Sequence, residues 1–432
     1  MNTLDRRKTD FGVGLLPIAF ATLCSERGDN ILPQPELGWV WLTQSERTAA
    51  QNSLSSAGPD GTRDELGFGV IHFAYADRFF PGTSVQHTSL RYIWFICWAL
   101  QEMAERSAGG LFSNELFVEI EDRIGHRLIE KYGDGDRTGI IGGRVLRKGG
   151  SPVSKPSAIY WSALRTWGLL TPLKSTGAAP YRGDLIRHWD ALTRRDGLEV
   201  DVEEPRGIFL DPPPMPSGWR RKKGELSFDL DLTTQEDEKI RTRWSKLRDQ
   251  NGNTSLLSRL AERRKLAPSA MNSAAVRQLC SQTEIDMLKR AEQAGSLVCV
   301  ARALYIAMVG DLKRRDGDTV AAPDQMLAAT LATHQSSATA LDLDLLAKDV
   351  PALGDLKFLL AAVQEWVSRG SADYVGLQPT FLTREHALKD DRALLLEGSD
   401  LRRRSWRPGE PWPLKYRWDK VAGFLQELAP TA

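Results

Sequence analysis

Apolar positions along this chain recur mostly at intervals of three and four, the spacing of one helical face, and rarely alternate as strands do. The run LRYIWFICWALQEMAER, within residues 87–106, is apolar almost all round through Ala99. A helix of that kind is buried on most faces, so it predicts the centre of an N-terminal core. Leu116 to Tyr132 is amphipathic instead: Leu116, Ile120, Ile124 and Leu128 fall four apart, and Phe117 widens the stripe. Helical periodicity over residues 66–80 stops at Pro81-Gly82-Thr83-Ser84. Before it, GWVWLT at 38–43 reads as a strand or a buried lead-in, and Thr43 with Glu46 has the capping-box spacing that starts a helix to Leu54. Tyr181 to Thr193 makes one more helix, with Leu185, Ile186, Trp189 and Leu192 on one side. Beyond residue 233 the pattern predicts helices near 234–249, 254–264, 282–293, 296–313, 323–333, 336–348, 352–369 and 416–428. The expected fold class is mainly α: an N-terminal helical domain with a winged-helix-like, helix-turn-helix part, and a C-terminal helical bundle.

Charge changes this picture in one place. Arg137 to Arg182 spans 46 residues with eight Lys or Arg and no Asp or Glu, in a chain of net charge only +1. Its middle, GIIGGRVLRKGGSPVSKPSAIYWSALRTWGLL, reads as a Gly-rich basic turn over Gly142 to Gly150 followed by a short helix. Ser154 or Ser157 can cap that helix, Pro156 suits its first turn, and Gly168 can close it. Ile159, Trp161, Leu164 and Trp167 form its apolar side, leaving Lys155, Ser162 and Arg165 to point outward. A basic loop feeding a short helix is a way helix-turn-helix domains meet DNA. The expected phosphate contacts are Arg144, Arg147, Lys148, Lys155 and Arg165, with hydrogen bonds from Ser157 and Tyr160. A solvated turn beside a core helix would have the same composition.

With 432 residues, 41% of them hydrophobic and 26% charged, the chain is expected to form an ordinary globular protein with more than one core. From Asp196 to Gly224 five prolines, including Pro212-Pro213-Pro214, precede Arg220-Arg221-Lys222-Lys223. Such composition reads as a spacer that buries little. The expected organisation is an N-terminal extension over 1–37, a helical domain over 38–195, a Pro-rich basic linker over 196–232 and an all-helical domain over 233–432. Cys24, Cys97, Cys280 and Cys299 show no metal-type spacing, pointing to reduced thiols in a cytoplasmic protein and no zinc. No apolar run approaches the roughly 20 residues a bilayer span requires. Arg6, Arg7 and Lys8 precede an apolar stretch that resembles an export signal, but Gly12, Gly14 and Pro17 interrupt it.

Common catalytic signatures are missing: GxxxxGK[ST], HExxH and GxSxG do not occur. His72, His87 and His126 share the first domain with Asp77 and Cys97 without clustering in sequence. Gly-Asp-Leu-Lys occurs at 310–313 and again at 354–357. Both copies abut helical runs, whereas a metal-dependent nuclease needs the acid and the Lys on a strand to orient water. No cofactor is expected. Near the C-terminus Arg402, Arg403, Arg404, Trp406 and Arg407 precede Trp412, Lys415, Tyr416, Arg417 and Trp418. Arginines among aromatics can grip phosphates while rings stack on bases, so Arg402, Arg403 and Arg404 join the candidate nucleic-acid contacts. The same types dominate protein interfaces, which makes Trp406, Trp412 and Trp418 candidate partner contacts. Packed tryptophans with arginines paired to Asp390, Asp391 and Glu397 are the third reading.

GWVWLT at 38–43, ELGFGVIHFAYADRFFPGTSVQHTSLRYIWFICW at 65–98, KPSAIYWSALRTWGLL at 155–170 and PLKYRWDKV at 413–421 resemble an uncharacterised bacterial family, the domain of unknown function numbered 6361. The likeness is most specific around PGTS and SAIYW. It implies company with helicases and phospholipase D-like nucleases in anti-phage defence islands, and no activity that can be carried onto residues. The reading expected from residues and resemblance together is a non-catalytic nucleic-acid-binding subunit of such an assembly, with DNA as the polymer and no membrane. Five phosphate contacts would give a log-log salt slope of about −4 to −5 on duplex DNA. The alternatives are a scaffold docking a helicase or nuclease, and an unrecognised metal-dependent nuclease.

Overall fold

In the computed structural model the described residues are 65–107, 112–133, 139–173, 177–185, 189, 208–220, 229–249, 251–318, 323–370 and 373–428. Expectations for the extension 1–37, the GWVWLT lead-in, the helix to Leu54, Cys24, Arg221 to Lys223 and most of the 181–193 helix lie outside them. The described chain is mainly helical and has no strand, only isolated bridges joining Leu170 to Phe209 and Arg248 to Thr254.

Five helices precede the Pro-rich stretch: α1 (Gly69–Phe79), α2 (Tyr92–Arg106), α3 (Asn114–Tyr132), α4 (Gly143–Leu146) and α5 (Pro156–Thr166). Helix α2 is the predicted centre, with every residue from Tyr92 to Leu100 buried. It packs on α3 and α5, and α3 carries α4. Beyond the stretch come α6 (Thr234–Trp244), α7 (Leu256–Glu262), α8 (Ala274–Arg277), α9 (Gln282–Arg315), α10 (Pro323–Thr339), α11 (Leu343–Asp349), α12 (Leu356–Arg369), α13 (Gln378–Lys389), α14 (Asp400–Ser405) and α15 (Trp418–Glu427).

Helix α9 runs unbroken through the predicted gap at 294–295. Gly295 is spent on packing there, since a Cβ would meet the Leu414 backbone nitrogen at 3.4 Å. By length and composition α9 is apolar enough to cross a membrane, but 83% of its most apolar window is buried inside the fold, mainly under α10 and α12. It is a core helix. Capping boxes start α6 at Thr233 and α9 at Ser281, and Asp342 separates α10 from α11 by accepting from the Asp344 and Leu345 amides.

Among the described residues the buried apolar side chains do not separate into two cores. The described residues fall in one compact unit, and the buried apolar side chains on either side of the Pro-rich stretch belong to one cluster. Polar ties cross it: Tyr75 donates to Asp349 at 2.8 Å, Asp349 also takes Arg290 at 2.7 Å, and the Leu90 amide donates to Glu427 at 2.8 Å. The described part of the expected spacer, 208–220 and 229–232, is itself packed, with Ile208, Phe209 and Trp219 buried. Proline lacks an N–H but keeps its carbonyl. In this run those carbonyls and their neighbours serve as acceptors: Pro213 takes the Trp98 indole at 3.1 Å, and Gly218 and Trp219 take the Arg127 guanidinium at 3.0 and 2.7 Å.

Candidate nucleic-acid interface

The basic band begins at a turn fixed from several sides. Gly142 opens α4 at φ 67°, and a Cβ there would lie 2.2 Å from the Pro152 ring, so this position requires glycine. Leu146 packs into the space left by Gly125 of α3, where a Cβ would come within 2.5 Å of its methyl. The Ile141 amide donates to the Tyr92 hydroxyl at 2.9 Å, and the Gly150 amide donates to Val145 O at 3.0 Å. With the backbone held, Arg144, Arg147 and Lys148 project into solvent beside the exposed Val145. None of the three has a hydrogen-bond or ion-pair partner among the described residues.

Helix α5 forms as its sequence predicts, with Pro156 at N1 and Gly168 at φ 66° closing it through Leu169 N to Leu164 O at 3.0 Å. Tyr160, Trp161 and Leu164 are buried beneath it. Its cap is Lys155, in extended conformation and without a side-chain bond. Ser157 does something else: its amide and hydroxyl both donate to the Glu121 carboxylate of α3, at 2.7 and 3.1 Å. Burial of Glu121 pushes its carboxyl up to about 7, against the pull of these bonds and of Arg182 and Lys155.

Several of the sequence-predicted contacts are therefore committed elsewhere. Lys155 is 7% exposed, paired with Asp122, and donates to Ser151 at 2.7 Å. The Tyr160 hydroxyl donates to Ser89 O at 2.7 Å, accepts from the Thr88 amide at 2.8 Å, and its ring stacks on His87 at 4.1 Å. Arg165 is half-buried, donating to Ala179 O at 3.1 Å with its guanidinium 3.4 Å over the Tyr181 ring. Lys155, Ser157 and Tyr160 thus face the fold and not a ligand. For Lys155 and Ser157 the cause is Glu121 and Asp122, acids lying outside the acid-free band but folded against it. The one signal in the sequence is that Glu121 falls beside Ile120 in the buried register of α3.

The C-terminal cluster divides likewise. Arg403 is 4% exposed, bound to Asp316 at 2.6 and 3.1 Å and to the Leu394 and Leu396 carbonyls. That hydrogen-bonded guanidinium holds the Asp316 carboxyl below the usual range. Arg402 is exposed and donates to Asp391 O, while Arg404 lies 3.9 Å from Asp318. Trp418 is buried against Phe80, Trp406 is half-buried edge-on to Tyr305, and Trp412 is 51% exposed beneath Lys415.

Among the described residues the other candidates are each engaged separately. Burial lowers His72 and His87 to about 3, so both stay neutral, and it pushes the Cys97 thiol up. In the first Gly-Asp-Leu-Lys, Asp311 accepts from Tyr374 at 2.7 Å while Lys313 donates to Trp406 O at 3.1 Å, so the two side chains are engaged with different partners. In the second, Lys357 pairs with Asp344. Among the described residues His386, Asp390 and Asp391 are close enough to share an ion, and all three are exposed.

Residues 35–188 match a family of unknown function, DUF6361. The match includes PGTS, SAIYW and the whole basic band, and ends before PLKYRWDKV. No curated protein and no solved structure matches the chain.

Proposed function

We propose that this protein is a cytoplasmic, non-catalytic subunit that binds nucleic acid through the Gly142–Gly150 turn. The observation that carries the reading is the exposure of Arg144, Arg147 and Lys148 on a rigid turn with no carboxylate partner among the described residues. Elsewhere in the acid-free band Lys155 and Arg165 already have partners inside the fold. Cations fixed in position and left unpaired attract a polyanion, and phosphate contacts set register without reading sequence.

In this reading α3, α4 and α5 act as a helix-turn-helix-like unit that meets the polymer through its turn. The outward positions of α5 are Ala158, Ser162 and Thr166. They lack the Arg, Lys, Asn or Gln that makes bidentate contacts to base edges, so binding is sequence-tolerant, with DNA as the expected polymer. The resemblance adds the setting: an anti-phage assembly in which a helicase or a phospholipase D-like nuclease supplies the chemistry.

Fluorescence anisotropy on labelled single- and double-stranded DNA across a salt series tests this. Three contacts predict a log-log slope of about −2.7 on duplex. Arg144→Glu/Arg147→Glu/Lys148→Glu abolishes binding while Lys155→Met leaves the slope unchanged. A salt-independent affinity, or one untouched by the triple change, ends the reading. A second reading rests on Trp412, the exposed member of the tryptophan set: a protein partner lost on Trp412→Ala and retained in the triple variant would favour a scaffold.

A further inference from the structure

A groove of about 470 Å³ lies between the Pro81–Ser84 turn and the outer face of α5. That volume is within the roughly 300–1,000 Å³ of small-molecule sites. Neither the helix packing nor the basic turn accounts for it. Gly82 and Ala158 keep its walls low. Gly82 has φ 78°, and a Cβ there would lie 2.5 Å from the Trp167 indole nitrogen, which donates to Pro81 O at 2.9 Å. The turn is therefore pinned from behind, and its shape is set before any ligand arrives.

Its charge is balanced. Asp77 is exposed over 58% of its side chain, while Arg417 is 8% exposed. Arg417 Nη1 donates to Asp77 at 2.5 Å and to Thr83 O at 2.6 Å. Tyr416 and Arg417 both take positive φ, 50° and 62°, a costly conformation for two successive side chains. The surroundings hold it: Tyr416 donates to Ala291 O at 2.5 Å, and its ring packs on His72 and Tyr75. The pair fixes the carboxylate at the rim and cancels its net charge, so neither an anion nor a cation is drawn in by an unbalanced neighbour.

What the groove offers a ligand is hydrogen bonding. The second oxygen of Asp77, the Gln86 side-chain carboxamide and the hydroxyls of Ser162 and Thr166 line it and meet no partner among the described residues. Together they present acceptors and two-way groups at several points. No aromatic ring lines the space to stack a flat base. We propose that this groove binds an uncharged, polyhydroxylated small molecule, a sugar or a polyol, with Asp77 accepting from its hydroxyls and Arg417 acting as the positioning residue. The proposal rests on these hydrogen-bonding groups and not on the cations of the 142–150 turn.

Saturation-transfer difference NMR on the full chain with D-glucose, D-ribose and myo-inositol tests the proposal, with inorganic phosphate and ethylamine as charged competitors. At least one polyol gives a signal that neither competitor removes. Ser162→Trp fills the groove from an exposed position and abolishes the signal, and Asp77→Ala weakens binding at least tenfold. Arg144→Glu leaves it unchanged. Should Ser162→Trp not fold, Thr166→Arg closes the same wall. Silence from all three polyols, a signal that survives the filled groove, or displacement by phosphate or ethylamine overturns it.

Discussion

The turn at 142–150 and the segment from Lys155 to Arg165 belong to one acid-free band, yet their charges meet opposite ends. Arg144, Arg147 and Lys148 are left in water, whereas Lys155 is drawn down onto Asp122 and Arg165 onto a carbonyl and the Tyr181 ring. The same contrast occurs in three consecutive arginines, where Arg403 is interred with Asp316 while Arg402 and Arg404 remain exposed. Local composition thus overstates a binding surface, because what counts is the charge left after the rest of the fold has taken its share.

The contrast breaks most visibly through stability. Tyr160→Ala removes a buried ring and two hydrogen bonds and is expected to cost about 3–5 kcal/mol in urea unfolding. A loss near that of an exposed substitution would mean the second half of the band is not embedded. Next comes pH. Glu121 has a folded-state carboxyl raised above its usual value to about 7, so the folded state holds its proton more tightly than the unfolded chain. Its contribution is fully present below about pH 4.5 and is lost as pH rises through about 7, an effect of at most about 3 kcal/mol. The stability difference between the native chain and Glu121→Gln, which cannot titrate, should shrink steadily from pH 5 to pH 8. A flat or growing difference would remove Glu121 from this role.

Smaller still is Lys155→Met, expected to cost about 1–3 kcal/mol, below the range for fully buried pairs because Asp122 keeps some access to water. Chemical denaturation measures it, and a neutral outcome would place Lys155 with the exposed cations. Smallest are Arg144→Ala, Arg147→Ala and Lys148→Ala, each within about 0.5 kcal/mol of the native stability. Each nonetheless lowers the salt slope of DNA binding by about 0.9 in magnitude. A large destabilisation from any of them would show a structural partner, and the comparison between the two halves would collapse.

Much of the helical fold was legible because 3.6-residue periodicity is a local property. The all-round apolar α2, the stripe of α3, and the Pro156 start and Gly168 end of α5 all follow from near neighbours in the chain. The breaks were read less well. Gly295 passes for a helix break in sequence, but in the fold it makes room for the Leu414 backbone, more than a hundred residues away. The prolines of 212–214 look like a spacer until Trp98 and Arg127 arrive to use the carbonyls around them. The groove was nearly invisible: PGTS marked a turn, but nothing in the sequence announces that Asp77 and Arg417 will meet across 340 residues.

By itself the sequence determined the helical class, most helix starts and the presence of a band without acids, since each depends on residues within a turn or two of one another. Tertiary structure alone decided which cations stay exposed, whether the Pro-rich run separates or joins, and where a polar groove opens. Those outcomes turn on desolvation and pairing between distant side chains, and the energy of a charge depends on the partner that burial brings to it.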